Sequence, residues 1–161
     1  MTAEQLIDRF NLLPHPEGGY YRETYRAELQ IPGSELGTIR AVSTGIYFML
    51  TAGNFSALHR IKSDEMWHFY GGDAIDIVEL TPEGQWINTR LGNDINAGEL
   101  PQYVVKAGHW FGSCVSNNKP FGLVGCTVAP GFDFADFELA NRTELQHAFP
   151  AHASAIEMWT R

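Results

Sequence analysis

Gly53-Asn54-Phe55-Ser56-Ala57-Leu58-His59-Arg60-Ile61-Lys62-Ser63-Asp64-Glu65-Met66-Trp67-His68-Phe69-Tyr70-Gly71-Gly72 is the segment whose reading decides the fold. Residues 57–61 and 65–70 read as two strands joined by a turn at Lys62-Ser63-Asp64. Side chains alternate along a strand, so His59 and Ile61 share one face, and Glu65, Trp67 and Phe69 share another. Paired as a hairpin, the two strands bring His59 and Glu65 into one cavity. His68 falls on the opposite face with Met66 and Tyr70. The second strand is therefore apolar on both sides and needs cover on both. That cover is a second layer of the same chain or a partner subunit, and we expect a homodimer.

Outward from this segment the signals are almost all β. Residues 20–28, 39–51, 74–80, 85–91, 102–106, 110–115 and 121–129 read as strands, with a hairpin about Thr81-Pro82-Glu83-Gly84. Short strands with a turn every ten residues or so predict an all-β sandwich or barrel. Residues 2–11 read as a short helix in which Thr2 and Gln5 form a capping box; Pro14 and Pro16 bar its continuation. A second short helix is expected over residues 140–148, before Pro150. No repeat or linker divides the chain, so residues 1–161 are expected to form one domain.

Composition narrows the function classes. Apolar residues make up 44% of the 161 residues, enough for a core. Eleven basic against 19 acidic residues give a net charge of −8, which disfavours nucleic acid and anionic membrane as partners. No apolar run reaches the roughly 20 residues of a membrane span, and no secretory signal pattern opens the chain. Cys114 and Cys126 read as small core residues of a reduced, cytoplasmic protein, with a pairing across neighbouring strands as the competing reading.

A histidine beside a carboxylate has two uses. His59 and Glu65 can hold a divalent metal, or Glu65 can orient an imidazole that acts as a general base. A stable metal site needs more protein ligands than two, so no metal is the expectation, with His59 and Glu65 the ligands if one binds. Tyr21, Glu23 and Tyr25 are expected on one face of their strand, and Tyr20, Arg22, Thr24 and Arg26 on the other. Aromatic rings with a carboxylate suit a sugar ring, and Arg22 or Arg26 suits a phosphate or carboxylate. Arg26 is otherwise a solvated edge charge. Tyr47, Trp67, Gln102, Trp110 and Phe111 complete the expected substrate-binding set. The segment Pro14-His15-Pro16-Glu17-Gly18-Gly19 fixes an unusual backbone path, either as a structural turn or as a lid edge that brings Glu17 to the pocket.

Three blocks carry a resemblance to a known family: Leu13-Pro14-His15-Pro16-Glu17-Gly18-Gly19-Tyr20-Tyr21-Arg22-Glu23, a middle block of Leu58-His59-Arg60 and Asp64-Glu65-Met66-Trp67-His68-Phe69-Tyr70-Gly71-Gly72, and Val128-Ala129-Pro130-Gly131-Phe132-Asp133-Phe134. With them the chain resembles the fifth cupin family, a domain of unknown function similar to the dTDP-sugar epimerase branch of cupins. The resemblance implies a double-stranded β-helix, the cupin jelly roll, usually assembled as a dimer. It also implies that Ile61 and Phe111 stand where metal-binding cupins carry histidine ligands, and that Val115 replaces an Asn. In metal-independent epimerases of that branch a barrel histidine is the catalytic base, and His59 matches it in kind. The expected function is a sugar or sugar-nucleotide isomerase or epimerase; the competing expectations are a non-catalytic carbohydrate- or metabolite-binding protein and a weakly metal-binding enzyme.

Overall fold

The computed structural model describes residues 1–32 and 38–161. In chain order its elements are α1 (Ala3–Phe10), β1 (Leu13–Pro14), β2 (Tyr20–Arg26), β3 (Gln30–Ile31), β4 (Arg40–Ala41), β5 (Thr44–Thr51), β6 (Phe55–Arg60), β7 (Asp64–Gly72), β8 (Ile75–Leu80), β9 (Trp86–Leu91), β10 (Gln102–Val105), β11 (Trp110–Val115), β12 (Phe121–Ala129), β13 (Glu138–Leu139), α2 (Arg142–Ala148) and α3 (Ala153–Met158). The strands form a jelly roll of two antiparallel sheets, ordered β1-β2-β5-β12-β7-β10 and β13-β6-β11-β8-β9, with β3 and β4 as a small separate pair.

The expected hairpin between residues 57–61 and 65–70 does not form. β6 lies between β11 and β13 in one sheet, and β7 between β12 and β10 in the other. The short turn at 61–63 crosses the barrel, so His59 and Glu65 reach one space from opposite sheets. The long strand expected over residues 39–51 is broken between β4 and β5, where Val42 and Ser43 bond to the chain around Leu29 and Ala27 instead.

Alternation sorts each strand into an inner and an outer face. Phe48, Trp67 and Phe111 point inward, all essentially buried, and pack edge to face at 5.8 and 6.4 Å between ring centres. Burying each such ring contributes roughly 2–3 kcal/mol. With Ile75, Ile77, Leu91 and Val115 they fill one end of the barrel solid. The other end, bounded by the start of β5 and β7 and the end of β2, β6 and β12, stays open and forms the cavity.

Both outer faces are covered in part by the chain itself. α1 has the expected capping box, Gln5 N–H to Thr2 Oγ1 at 3.3 Å and Thr2 N–H to Gln5 Oε1 at 2.9 Å. It lays Leu6 on Met49 and Leu123 of the six-stranded sheet. α2, capped by Asn141, and α3, which the sequence reading lacked, lay Leu145 and Ile156 on Leu58, Val78 and Trp110 of the five-stranded sheet.

Candidate functional site

The open end holds a cavity of about 320 Å³ whose walls include His15, Glu17, Tyr21, Glu23, His59 and Glu65. Its central contact joins a strand and a loop far apart in sequence. His59 Nε2 lies 2.9 Å from Glu17 Oε2, and both side chains are more than nine-tenths buried. The loop that delivers Glu17 is closed by His15 N–H to Gly19 O and Gly18 N–H to His15 O, both at 3.0 Å. It is sewn to β6 by Ala57 N–H to Glu17 O at 2.8 Å. Gly18 has φ +113°, and a Cβ there would run into the Phe55 carbonyl oxygen. That same oxygen accepts at 2.7 Å from the Arg161 guanidinium, which lies beside Gly18.

A proton count fixes the state of this pair. His59 Nδ1 lies 2.8 Å from Ala57 O. A carbonyl only accepts, so Nδ1 carries a hydrogen. Nε2 facing Glu17 then needs one proton between them, because two bare acceptors do not approach to 2.9 Å. Burial alone drives the imidazole toward neutrality, but the Glu17 charge and hydrogen bond overcome it and raise the His59 pKa. Burial likewise opposes ionisation of Glu17, and the His59 charge and hydrogen bond overcome that, holding its pKa below the usual carboxylate range. The pair is carboxylate and imidazolium.

Glu65 behaves in the opposite way. Burial first, and the Glu17 charge second, push its pKa up to about 7. The Cys126 thiol donates to it, and its own pKa is driven well up by burial and the Glu65 charge. His15 completes the group. Its Nδ1 accepts from Glu17 N–H at 3.2 Å, and burial lowers its pKa, so it is neutral with its proton on Nε2.

Over the cavity runs the segment 131–137. Gly131 N–H bonds Ala41 O at 2.7 Å and Phe132 N–H bonds Thr44 Oγ1 at 2.9 Å. Asp136 is locked by two bonds of 2.8 Å from the buried Arg40 guanidinium. The segment sets Phe132, Asp133, Phe134 and Phe137 on the cavity wall.

The structure separates the expected site residues by strand parity and by depth. Glu65 lines the cavity, but Glu17, not Glu65, holds the imidazole. Tyr21 and Glu23 also line it. Arg22 and Tyr47 face outward: Arg22 donates to Phe10 O at 3.0 Å, and the Tyr47 ring packs 5.0 Å from that of Phe10. Gln102 faces outward beside His68, at 3.2 Å from its Nδ1. Trp110 lies on the outer face under Arg60 and the helices. Trp67 and Phe111 point inward but form the buried floor, Phe111 with its ring centre 4.0 Å from that of His59.

Arg26 departs from its expected face. A bulge between Glu23 and Tyr25 shifts the pairing of β2 with β5, so Tyr25 turns out to solvent and Arg26 joins Tyr21 and Glu23 on the cavity wall. Cys126 is likewise a wall residue as well as a buried one, and Cys114 sits in the other sheet, so the two do not pair. The sequence carried no signal for the bulge. The Phe132-Asp133-Phe134 block is plain in the sequence, but its place follows from the bonds of residues 131 and 132 to β4 and β5, which make the segment 131–137 a lid on the cavity.

The arrangement does not suit a metal held as in metal-binding cupins. Ile61 and Phe111 offer no ligand atoms, and both His59 nitrogens are engaged by protein oxygens. Among the described residues no three His, Cys, Asp or Glu side chains are placed to hold one ion.

Comparison with known proteins places this barrel. The chain is 32% identical over 159 residues to the uncharacterized protein YML079W of Saccharomyces cerevisiae, covering 91% of this chain and 79% of that one. Among solved structures, a hypothetical protein from Leishmania major superposes with TM-score 0.93 at 35% identity over 99% of both chains. Protein SO0799 from Shewanella oneidensis superposes with TM-score 0.91 at 40% identity, over 100% of this chain and 98% of that one. Oxalate decarboxylase from Bacillus subtilis shares the fold alone, with TM-score 0.58 at 12% identity over 91% of this chain and 36% of that one. The profile of the family described as Cupin superfamily (DUF985) matches residues 4–140, and the chain belongs to that family.

Proposed function

We propose that this cupin is a metal-independent isomerase or epimerase of a small sugar-like carbonyl compound. The observation that carries the reading is the 2.9 Å contact of His59 with Glu17 in a cavity that also holds Glu65. Two carboxyl groups whose surroundings drive their proton affinities apart are an acid–base pair. Glu17, kept ionised by the imidazolium, takes the proton from the carbon next to the carbonyl. Glu65, still half protonated at pH 7, gives its proton to the carbonyl oxygen. The product is a neutral enol, and return of the protons to the other face or the neighbouring carbon completes the change. His59 is a positioning residue here. With both nitrogens engaged it has no free lone pair for substrate, so the base role expected of it passes to Glu17. His15 and Tyr21, with ring centres 4.6 Å apart, offer an aromatic surface for the ligand.

The test is solvent-deuterium incorporation, followed by NMR, across a panel of aldoses, ketoses and keto sugars. Exchange at the carbon next to the carbonyl, lost in Glu17→Gln and in Glu65→Gln, supports the reading. Exchange unchanged in Glu17→Gln removes it. The hydrophobic residues Ile61 and Phe111 at former ligand positions also suit a protein that binds without turnover; ligand binding with no exchange in the intact protein selects that alternative. We further propose a homodimer through the outer face of the six-stranded sheet, where Tyr70 is 53% exposed beyond the cover of α1. Sedimentation checks it.

A further inference from the structure

We infer that the cavity selects a small hydroxylated amine, such as an amino sugar, and rejects phosphorylated and nucleotide-linked sugars. The inference rests on the proposed sugar-like ligand for its hydroxyl groups and on the charge balance of the walls for its amine. Four carboxyl groups line the cavity: Glu17, Glu23, Glu65 and Asp133. Glu17 is matched by His59. Arg26 is the other cation of the wall, and Glu23 binds it through two bonds of 2.9 and 2.7 Å. A third guanidinium bond, 3.2 Å long, goes to the Phe132 carbonyl. Asp133 is the second carboxylate near this guanidinium, and Arg40, also near Asp133, is already held by Asp136 through two bonds of 2.8 Å. On the wall itself two cations, His59 and Arg26, stand against Glu17, Glu23 and Asp133, which leaves one negative charge uncompensated, at Asp133.

The rings around Asp133 point to the same ligand. Phe132 and Phe134 flank it, with ring centres 5.0 Å apart; Phe137 lies 6.1 Å and His15 6.0 Å from Phe134. Aromatic faces attract an ammonium group and repel an anion, and a carboxylate among them adds to both effects. Deeper in, Glu65 is 8% exposed, and the Cys126 thiol fills one of the roughly four lone-pair positions of its carboxyl group. The remaining positions suit ligand hydroxyl groups. A phosphate would meet Asp133, Glu23 and the ring faces, with the Arg26 guanidinium already committed to Glu23 and His59 to Glu17.

The experiment is titration calorimetry at pH 7 with glucosamine, glucose and glucose 6-phosphate. Glucosamine should bind at least about tenfold tighter than glucose, the effect of one charge-assisted bond, and glucose 6-phosphate more weakly than glucose. Asp133→Asn keeps an oxygen for the Ala135 N–H that Asp133 caps at 2.8 Å. It should weaken glucosamine about tenfold and strengthen glucose 6-phosphate, opposite signs that a collapsed site does not produce. Equal or tighter binding of glucose or glucose 6-phosphate, or no binding of glucosamine, overturns the inference. Amine binding without deuterium exchange leaves it standing and removes the isomerase reading; exchange confined to phosphorylated sugars does the reverse.

Discussion

Replacing Glu65 by Gln should change stability in a strongly pH-dependent way. The folded protein raises this carboxyl from its ordinary 4.5 to about 7, burial first and Glu17 second. A carboxyl that binds its proton more tightly in the folded state disfavours folding once solvent strips that proton away. The native state then holds a buried charge that the unfolded chain solvates freely. The penalty is absent below pH 4.5, grows by about 1.4 kcal/mol per pH unit, and levels off above pH 7 at about 3 kcal/mol. Set against the roughly 5–15 kcal/mol of a typical domain, this is a large fraction. Glutamine has the same shape, accepts from the Cys126 thiol and carries no charge. Glu65→Gln should therefore match the parent protein at pH 4.5 and exceed it by about 3 kcal/mol at pH 8. His59 and Glu17 titrate too. His59 stabilises below 6.5 and fades as pH rises through its raised value, and Glu17 stabilises above 4.5 and fades as pH falls through its lowered one. Both trends remain in the variant, so the difference between the two proteins isolates Glu65. Urea unfolding followed by tryptophan fluorescence at half-unit pH steps measures it. A difference that stays flat from pH 4.5 to 8 refutes the assignment of the elevated proton affinity to Glu65.

The remaining expectations concern the pair, the loop and the lid. His59→Ala leaves the Glu17 charge buried without its partner and should lower stability by about 3–5 kcal/mol at pH 7, whereas Glu17→Gln, which can donate to a neutral imidazole, should cost at most about 1–2 kcal/mol; thermal unfolding distinguishes the two, and equal losses would contradict the charge assignment. Deuterium exchange through the proposed Glu17–Glu65 pair should fall above pH 7 as Glu65 loses its proton, which a rate profile will read. Gly18→Ala, strained at φ +113° and blocked by the Phe55 carbonyl, should destabilise by several kcal/mol and weaken ligand binding as well, because the same loop carries Glu17; unchanged affinity would detach the loop from the site. Arg40→Met leaves the buried Asp136 with the longer, 3.9 Å contact to the half-exposed Lys62 and should cost about 3 kcal/mol. Amide exchange over residues 131–137 should accelerate more than that over β5, and uniform acceleration would mean the ion pair serves the whole barrel and not the lid.

What the sequence revealed follows from which forces act locally. Strand alternation and turn residues placed every strand longer than two residues, and the Thr2–Gln5 capping box marked α1, because these are nearest-neighbour effects. Parity also determines that Phe111 faces inward and Trp110 outward, and that Tyr47 lies opposite Ile46 and Phe48. Two features escaped because they are long-range. Strands β6 and β7 sit next to each other in sequence, yet each finds its partners elsewhere, and no local signal separates a hairpin from a crossover between sheets. The bulge at Glu23 and Tyr25 is set by how β2 must twist against β5. It exchanges the faces of Tyr25 and Arg26 without a glycine to announce it. The inward face of His59 was legible, and Glu17 at the pocket was one of two readings of its loop, but their contact was not, since Glu17 lies 42 positions away and reaches His59 only through the closed loop.

The apolar side chains of Ile61 and Phe111 and the presence of Glu17 bear on one physical problem. A buried imidazole with Nδ1 bound to a carbonyl presents Nε2 to the cavity, and in a metal-binding barrel an ion would satisfy that atom. Here Ile61 and Phe111 offer no ligand atoms, so Nε2 needs a different partner or becomes an unpaired buried group. A lone carboxylate in the same apolar space would be as costly as the bare imidazole. Brought together at 2.9 Å, each makes the burial of the other tolerable. The charge then held at Glu17 is what raises Glu65 beyond the effect of burial alone. Substituting His59 should therefore act on Glu65 through Glu17. In His59→Gln the Glu17 pKa rises toward that of an ordinary buried carboxyl, its negative charge at pH 7 falls, and the repulsion on Glu65 weakens, while the attraction of the imidazolium for ionised Glu65 is also lost. These two changes oppose each other, so Glu65 should move little while Glu17 moves up strongly. Carbon-detected NMR titration of the two side-chain carboxyls resolves this directly. A large shift of Glu65 with Glu17 unmoved would mean that His59 pairs electrostatically with Glu65 after all, and that the contact with Glu17 carries no charge.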